Sequence, residues 1–236
     1  MRHILFVIPV VISALVVVTL TAESDISLPT SSSTVRASAD MYRCDPKSLE
    51  QVQLEFPVKE PTYLPEGYKL QVVDTTSFPG MVALYYAKYE MCHGVSLSNP
   101  GDVIVITVGD VQGSAKEGNI HAVNLMNDPV EHFKRDVESY NSVIPDAAKL
   151  IDKPESTIPL VRMIEVNGHV GKAREPMKGY NVYIINDGER SEKVVEELSD
   201  VRAGFVTFYH EKDKTMYSIL STFPVEEMLK IAESIP

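Results

Sequence analysis

Tyr68, Leu70 and Val72 alternate with Lys69, Gln71 and Val73, the two-residue period of a strand with one buried face. Pro57, Pro61 and Pro65 precede it; each fixes its own φ and biases the residue before it toward extended backbone, so the lead-in is not helical. Pro65-Glu66-Gly67 fits a type II turn with proline at its second position and glycine at a later, positive-φ one. The stretch Phe56 to Asp74 has a counterpart at the other end, Tyr217 to Ile235. There a strand runs into an amphipathic helix whose apolar stripe is Val225, Met228, Leu229, Ala232 and Ile235.

Between these ends the pattern predicts mostly strands. Phe78-Pro79-Gly80 is a turn, and Met81 to Glu90 forms the hairpin partner of the first strand. Asp102 to Val108 is a nearly continuous β-branched run, as in a central strand covered on both faces. Residues 110 to 127 read as irregular. Asp128-Pro129-Val130-Glu131 opens a helix with a capping box and a first-turn proline, and Val130, Phe133, Val137 and Tyr140 make its apolar stripe. Ile158 to Val166 and Val170 to Arg174 flank Asn167-Gly168, a type I′ hairpin signal. Tyr180 to Ile185 is a strand ended by Asn186-Asp187-Gly188; the acidic residues 189 to 200 suggest a surface helix; Ala203 to His210 and Lys214 to Leu220 pair across a short turn. Consecutive strands joined by short turns pair antiparallel. The fold class that results is α+β, a curved, mostly antiparallel sheet with helices packed on one face.

The first twenty-two residues stand apart. Ile4 to Leu20 is uncharged and interrupted only by Pro9, Ser13 and Thr19, which as a helix spans about 25 Å at ~1.5 Å per residue. Arg2 lies before it, Glu23 and Asp25 after it, which places the chain's remainder outside the cell membrane. Residues 1–22 are therefore a hydrophobic helix acting as signal peptide or membrane anchor, with the membrane as partner through residues 4–20. The protein is then extracytoplasmic, anchored by this segment or secreted after its cleavage. Residues 23–40 are small and polar, a disordered linker. A single domain follows over 41–236, opened by a short helix at Asp45-Pro46 with Leu49 and Val52 on one side.

Charge narrows the partners. With 22 Lys+Arg against 33 Asp+Glu the net charge is −11, and no basic run interrupts it, so nucleic acid is excluded as a partner class.

Three stretches carry a family resemblance: Tyr63-Leu64-Pro65-Glu66-Gly67-Tyr68, Val166-Asn167-Gly168, and the ending Tyr217-Ser218-Ile219-Leu220 with Val225 to Ser234. They resemble an uncharacterised C-terminal domain of exported and membrane-anchored prokaryotic proteins, some of them anti-sigma regulators. That domain is in turn similar to the lipoprotein-carrier superfamily of LolA and RseB. The likeness covers residues 56 to 90 and 158 to 236. Such domains often carry a tryptophan on the penultimate strands; this chain has none, and Phe205 and Phe208 stand nearest. The resemblance implies helices against a concave sheet face, where relatives hold acyl chains or peptide segments. It implies no catalytic residues.

Candidate chemistry is sparse. Cys44 and Cys92 are the only cysteines. In an oxidising compartment an even count favours a disulfide, which for such a loop stabilises by about 4 kcal/mol in the chain-entropy model; two separate buried thiols are the alternative. Met91-Cys92-His93 offers soft ligands, but adjacent strand residues point to opposite faces and no second Cys or His follows at zinc spacing, so no metal or cofactor is assigned. His121, His132, His169 and His210 are scattered. No Gly-x-Ser-x-Gly, His-Glu-x-x-His or phosphate-cradling loop is present, and no catalytic residue is assigned. Tyr85, Tyr183, Phe205 and Tyr217 belong either to ordinary core packing or to the lining of a groove. The sequence thus points to a noncatalytic, membrane-tethered binding or sensing module with a lipid or protein partner in the envelope. A carrier of a lipid or acyl chain in an apolar groove, and an envelope enzyme without a recognisable motif, are the alternatives.

Overall fold

A computed structural model describes residues 48–52, 54–76, 80–97, 100–187 and 190–236. The hydrophobic segment, the linker, Asp45-Pro46 and Cys44 lie outside the described residues. Among those described, no helix is long and apolar enough to cross a membrane.

The fold is α+β with antiparallel strand pairing throughout. Strands β1 (Lys69–Asp74), β2 (Met81–Ala87) and β3 (Ile104–Asp110) form a meander. Helices α1 (Val111–Lys116), α2 (Ile120–Asn127), α3 (Pro129–Ser142) and α4 (Ile144–Leu150) follow. Next come β4 (Arg162–Val166), β5 (His169–Arg174), β6 (Met177–Asp187), β7 (Arg190–Arg202), β8 (Gly204–His210), β9 (Thr215–Ser221) and the closing helix α5 (Val225–Glu233). Seven strands make one sheet in the order β1-β2-β3-β9-β8-β5-β4, while β6 and β7 pair only with each other.

Strand alternation sends two different sets of side chains to the two faces of this sheet. One face carries Leu84 and Tyr86, Ile104 and Ile106, Tyr217 and Ile219, Val206 and Phe208, and it packs against Val225, Met228, Ile231, Ala232 and Ile235 at the chain's end. Each such fully buried side chain contributes roughly 1.5–3 kcal/mol relative to exposure. The two sequence stretches singled out at the ends meet here. Thr62 N–H donates to Ser234 O at 3.1 Å, Tyr63 N–H to Ser234 Oγ at 3.1 Å, and Lys59 N–H to the Tyr217 hydroxyl at 3.1 Å. The proline-rich lead-in thus straps α5 onto the sheet. Pro224 gives α5 no side-chain cap; instead Val225 N–H donates to Glu175 Oε2 at 2.8 Å.

Several expectations are revised by this arrangement. Helices lie on both faces of the sheet: α5 on one, and α2 and α3 on the other, where Ala122, Leu125 and Phe133 pack with Val111 and Tyr209. The stretch read as irregular holds the two short helices α1 and α2, begun by Asp110, which accepts from Gly113 N–H, and Asn119, which accepts from Ala122 N–H. These are ordinary N-caps; the intervening glycines masked them. Residues 189 to 200 lie in β7 rather than in a helix where they are described. A two-stranded ribbon tolerates polar residues on both faces, so β7 lacks strict alternation and its charge mimics an exposed helix. The lead turn closes one residue later than expected, by Tyr68 N–H to Pro65 O at 3.2 Å, so proline is its first residue and Gly67 (φ 84°) its third. On α3 the Asp128 cap and Pro129 are present, but Val130 is exposed and the inward face is Phe133, Asp136, Val137 and Tyr140. On α5, Ile231 is buried while Leu229 is only partly so.

Candidate functional site

The face of the sheet opposite α5 is only partly covered. Cross-strand register arranges its residues in rows. One row runs Tyr85, Val105, Leu220, Phe205, Arg174 across β2, β3, β9, β8 and β5. The next runs Ala83, Thr107, Ser218, Thr207, Lys172, and a third begins Met81, Gly109, Met216, Tyr209. On β9 the residues facing α5 are buried, whereas Met216, Ser218 and Leu220 are half-buried. The α3 side chains form one wall above these rows and the segment 91–97 forms the other. The groove between them has a volume of about 1180 Å³.

Its two ends differ in chemistry. Val72, Tyr85, Met91, Val95, Leu97 and Leu220 pack together and line one part with apolar surface. The wall segment is seated by contact with Tyr85: a Cβ on Gly94 would fall 2.5 Å from Tyr85 Cζ, so only glycine lets the backbone ride this close to the ring. Burial, with Asp74 adding to it, raises the Tyr85 phenol above its ordinary pKa.

The other part is polar and cationic. Lys172 Nζ donates to Asp136 Oδ2 at 2.6 Å and lies 4.7 Å from the Tyr140 ring centroid and 5.9 Å from that of Phe133. His132 Nε2 lies 3.9 Å from the same Asp136 oxygen; burial lowers its pKa, Asp136 opposing the shift. Thr207 and Ser218 hydroxyls are bonded to each other at 2.9 Å. Arg174 is 5% exposed, with its guanidinium 5.3 Å from the Phe205 centroid and one Nη2 bond to Ala203 O at 3.0 Å. Its Nε has no partner. Burial pulls its pKa below the usual guanidinium value.

No family model, curated protein or solved structure matches the chain.

The four aromatics proposed from sequence fall in three places. Tyr85 and Phe205 line the groove. Tyr217 sits on the other face, stacked on Phe208 at 5.4 Å and fully buried, its hydroxyl held by Lys59 N–H. One residue of parity separates it from the groove-facing Met216 and Ser218. Tyr183 lies on the β6–β7 ribbon, where its hydroxyl accepts from Asn181 Nδ2 and donates to Glu196. Cys92 lies at the groove wall and is not a free thiol; its proposed partner Cys44 is outside the described residues.

The histidines are less scattered than they read. His169 and His210 rings are 4.5 Å apart, and His210 Nδ1 is 3.2 Å from Asp213, which also pairs with Lys59 at 2.5 Å. Among the described residues no group of three His, Cys, Asp or Glu is placed to hold a metal. The sequence reading missed Asp136, Lys172 and Arg174. Lys172 and Arg174 alternate with Gly171 and Ala173, a signal of two cations on one face, but nothing local says that β5 is an interior strand.

Proposed function

We propose that this protein is a noncatalytic, extracytoplasmic binding module, exported or membrane-tethered through residues 4–20, whose groove holds a small amphiphile with one apolar chain. The observation that carries this reading is the 1180 Å³ groove that the sheet's own side chains leave unfilled. A module that only docks a protein partner has no need of it, whereas ligand sites of this kind are concave, mostly apolar and supplied with a few polar groups. The groove commits to an amphiphile because Tyr85, Met91, Val95 and Leu97 line it together with Lys172 and Arg174. The likeness to the lipoprotein-carrier superfamily agrees with such a ligand, and the same likeness suggests a curved sheet cradling it. A bridge between Cys44 and Cys92 would tie the chain's start to the groove wall.

Native mass spectrometry of the full chain, released from its membranes by mild extraction, tests the reading. A discrete adduct of lipid mass, lost on unfolding, is expected. A ligand-free mass, together with failure to take up an apolar fluorescent probe, would refute it. The same spectra before and after reduction and alkylation test the bridge.

A further inference from the structure

We infer that Arg174 anchors the anionic headgroup, a carboxylate or a phosphate, of the amphiphile whose chain lies along the apolar part of the groove; this rests on the binding function just proposed. Two cations floor the polar part. Lys172 is matched by Asp136 at 2.6 Å. Arg174 is not matched: no carboxylate pairs with it among the described residues. Its one hydrogen bond goes to a neutral carbonyl and its Nε–H is unpartnered.

A buried guanidinium without a counter-ion is costly, and truncated hydrogen bonding adds to the cost. Such a group is retained where an anion completes it, and the planar fork of arginine suits carboxylate and phosphate oxygens. The Phe205 ring, on the neighbouring strand, lies 5.3 Å from the guanidinium and Ala203 O holds one edge, which pre-orders the donor. The setting sharpens the contrast, since the chain as a whole carries a net charge of −11. In the same row, Leu220, Val105 and Tyr85 lead from Arg174 across the sheet. A ligand with its acid at Arg174 therefore lays its chain toward Tyr85 and the 91–97 wall.

The experiment compares ligands of one chain length on the full protein at about pH 8, where a carboxyl group is ionised. Dodecanoate, dodecyl phosphate and dodecanol each displace the neutral probe N-phenyl-1-naphthylamine. The two anions are expected to bind about 10- to 100-fold more tightly than dodecanol, the range that charge-assisted hydrogen bonds supply. Arg174→Met is expected to lower the affinity for both anions by about 10- to 100-fold, far more than it lowers that for dodecanol, so that the anion preference is lost; Arg174→Lys, which keeps charge but not the fork, falls between. The comparison on the unaltered protein needs no variant to fold. Equal affinity for anions and alcohol, or an undiminished anion preference in folded R174M, overturns the anchor and leaves the groove reading intact. Failure of the probe and all three ligands to bind overturns both. Inorganic phosphate raising the melting temperature as much as dodecyl phosphate does would keep the Arg174 contact and overturn the chain-bearing ligand.

Discussion

The Lys172–Asp136 pair joins α3, one wall of the groove, to β5 in its floor, so its strength decides how firmly the groove is shaped. Lys172 is the buried partner, with its side chain 11% exposed, while that of Asp136 is 37% exposed. Breaking a fully buried pair from one side costs about 3–5 kcal/mol, and an exposed pair is worth about 0–1. Asp136 is open to solvent, so the buried figure must be reduced. We expect Asp136→Asn to cost about 2 kcal/mol, with the Tyr140 and Phe133 rings giving the stranded ammonium partial compensation. Lys172→Met should cost about 1 kcal/mol, because the exposed carboxylate can rehydrate and the apolar stem still packs. The double variant, which leaves no ammonium to strand, is then expected near the cost of K172M alone, a coupling of about 2 kcal/mol. Urea unfolding of the four proteins at constant m reads this coupling directly. Additivity within about 0.3 kcal/mol would refute the argument, as it would mean that the two side chains are independently solvated.

Four further outcomes follow from the same packing. His132 is held below its ordinary pKa by burial, and so is His210; the unfolded chain then binds more protons, so stability is full above about pH 6.5 and falls as pH drops through the folded values. Urea midpoints across that window should decline, and His132→Gln with His210→Gln should flatten the decline. Gly94→Val forces a side chain into Tyr85 and should cost about 1–3 kcal/mol while weakening uptake of the apolar probe; a Tyr85→Leu background that fails to soften the penalty would contradict the seating. Glu175→Ala removes the carboxylate bound to Val225 N–H at 2.8 Å and should lower stability by about 1 kcal/mol, whereas Glu175→Asp is expected to recover part of it in thermal melts. Phe208→Ala, in the core behind α5, should cost about 3–5 kcal/mol, whereas Phe205→Leu should leave the melting temperature nearly unchanged and reduce ligand binding; the opposite ranking would mean that the two faces are wrongly assigned.

Local chemistry was enough for much of this protein. The Asp128-Pro129-Glu131 start of α3 and the Asn167-Gly168 hairpin, with φ of 50° and 82°, are written in neighbouring residues, as are the central β-branched strand and the apolar stripe of α5. Each depends on contacts within a few positions, so periodicity and turn residues reveal it. What remained hidden depends on pairing. Whether residues 190 to 202 are ribbon or helix is decided by the partner β6, and which tyrosine faces the groove is decided by strand parity relative to α5: Tyr85 and Tyr217 look alike in sequence and end on opposite faces. The unmatched charge of Arg174 is likewise no property of its own strand. It arises because Phe205 on β8 and the carbonyl of Ala203 just before it come against the guanidinium, while Asp136, the acid in the same groove, is taken by Lys172. The sequence determined the elements because their stabilising contacts are local; the tertiary structure decided the groove because burial and charge balance there are set by residues tens to over a hundred positions apart.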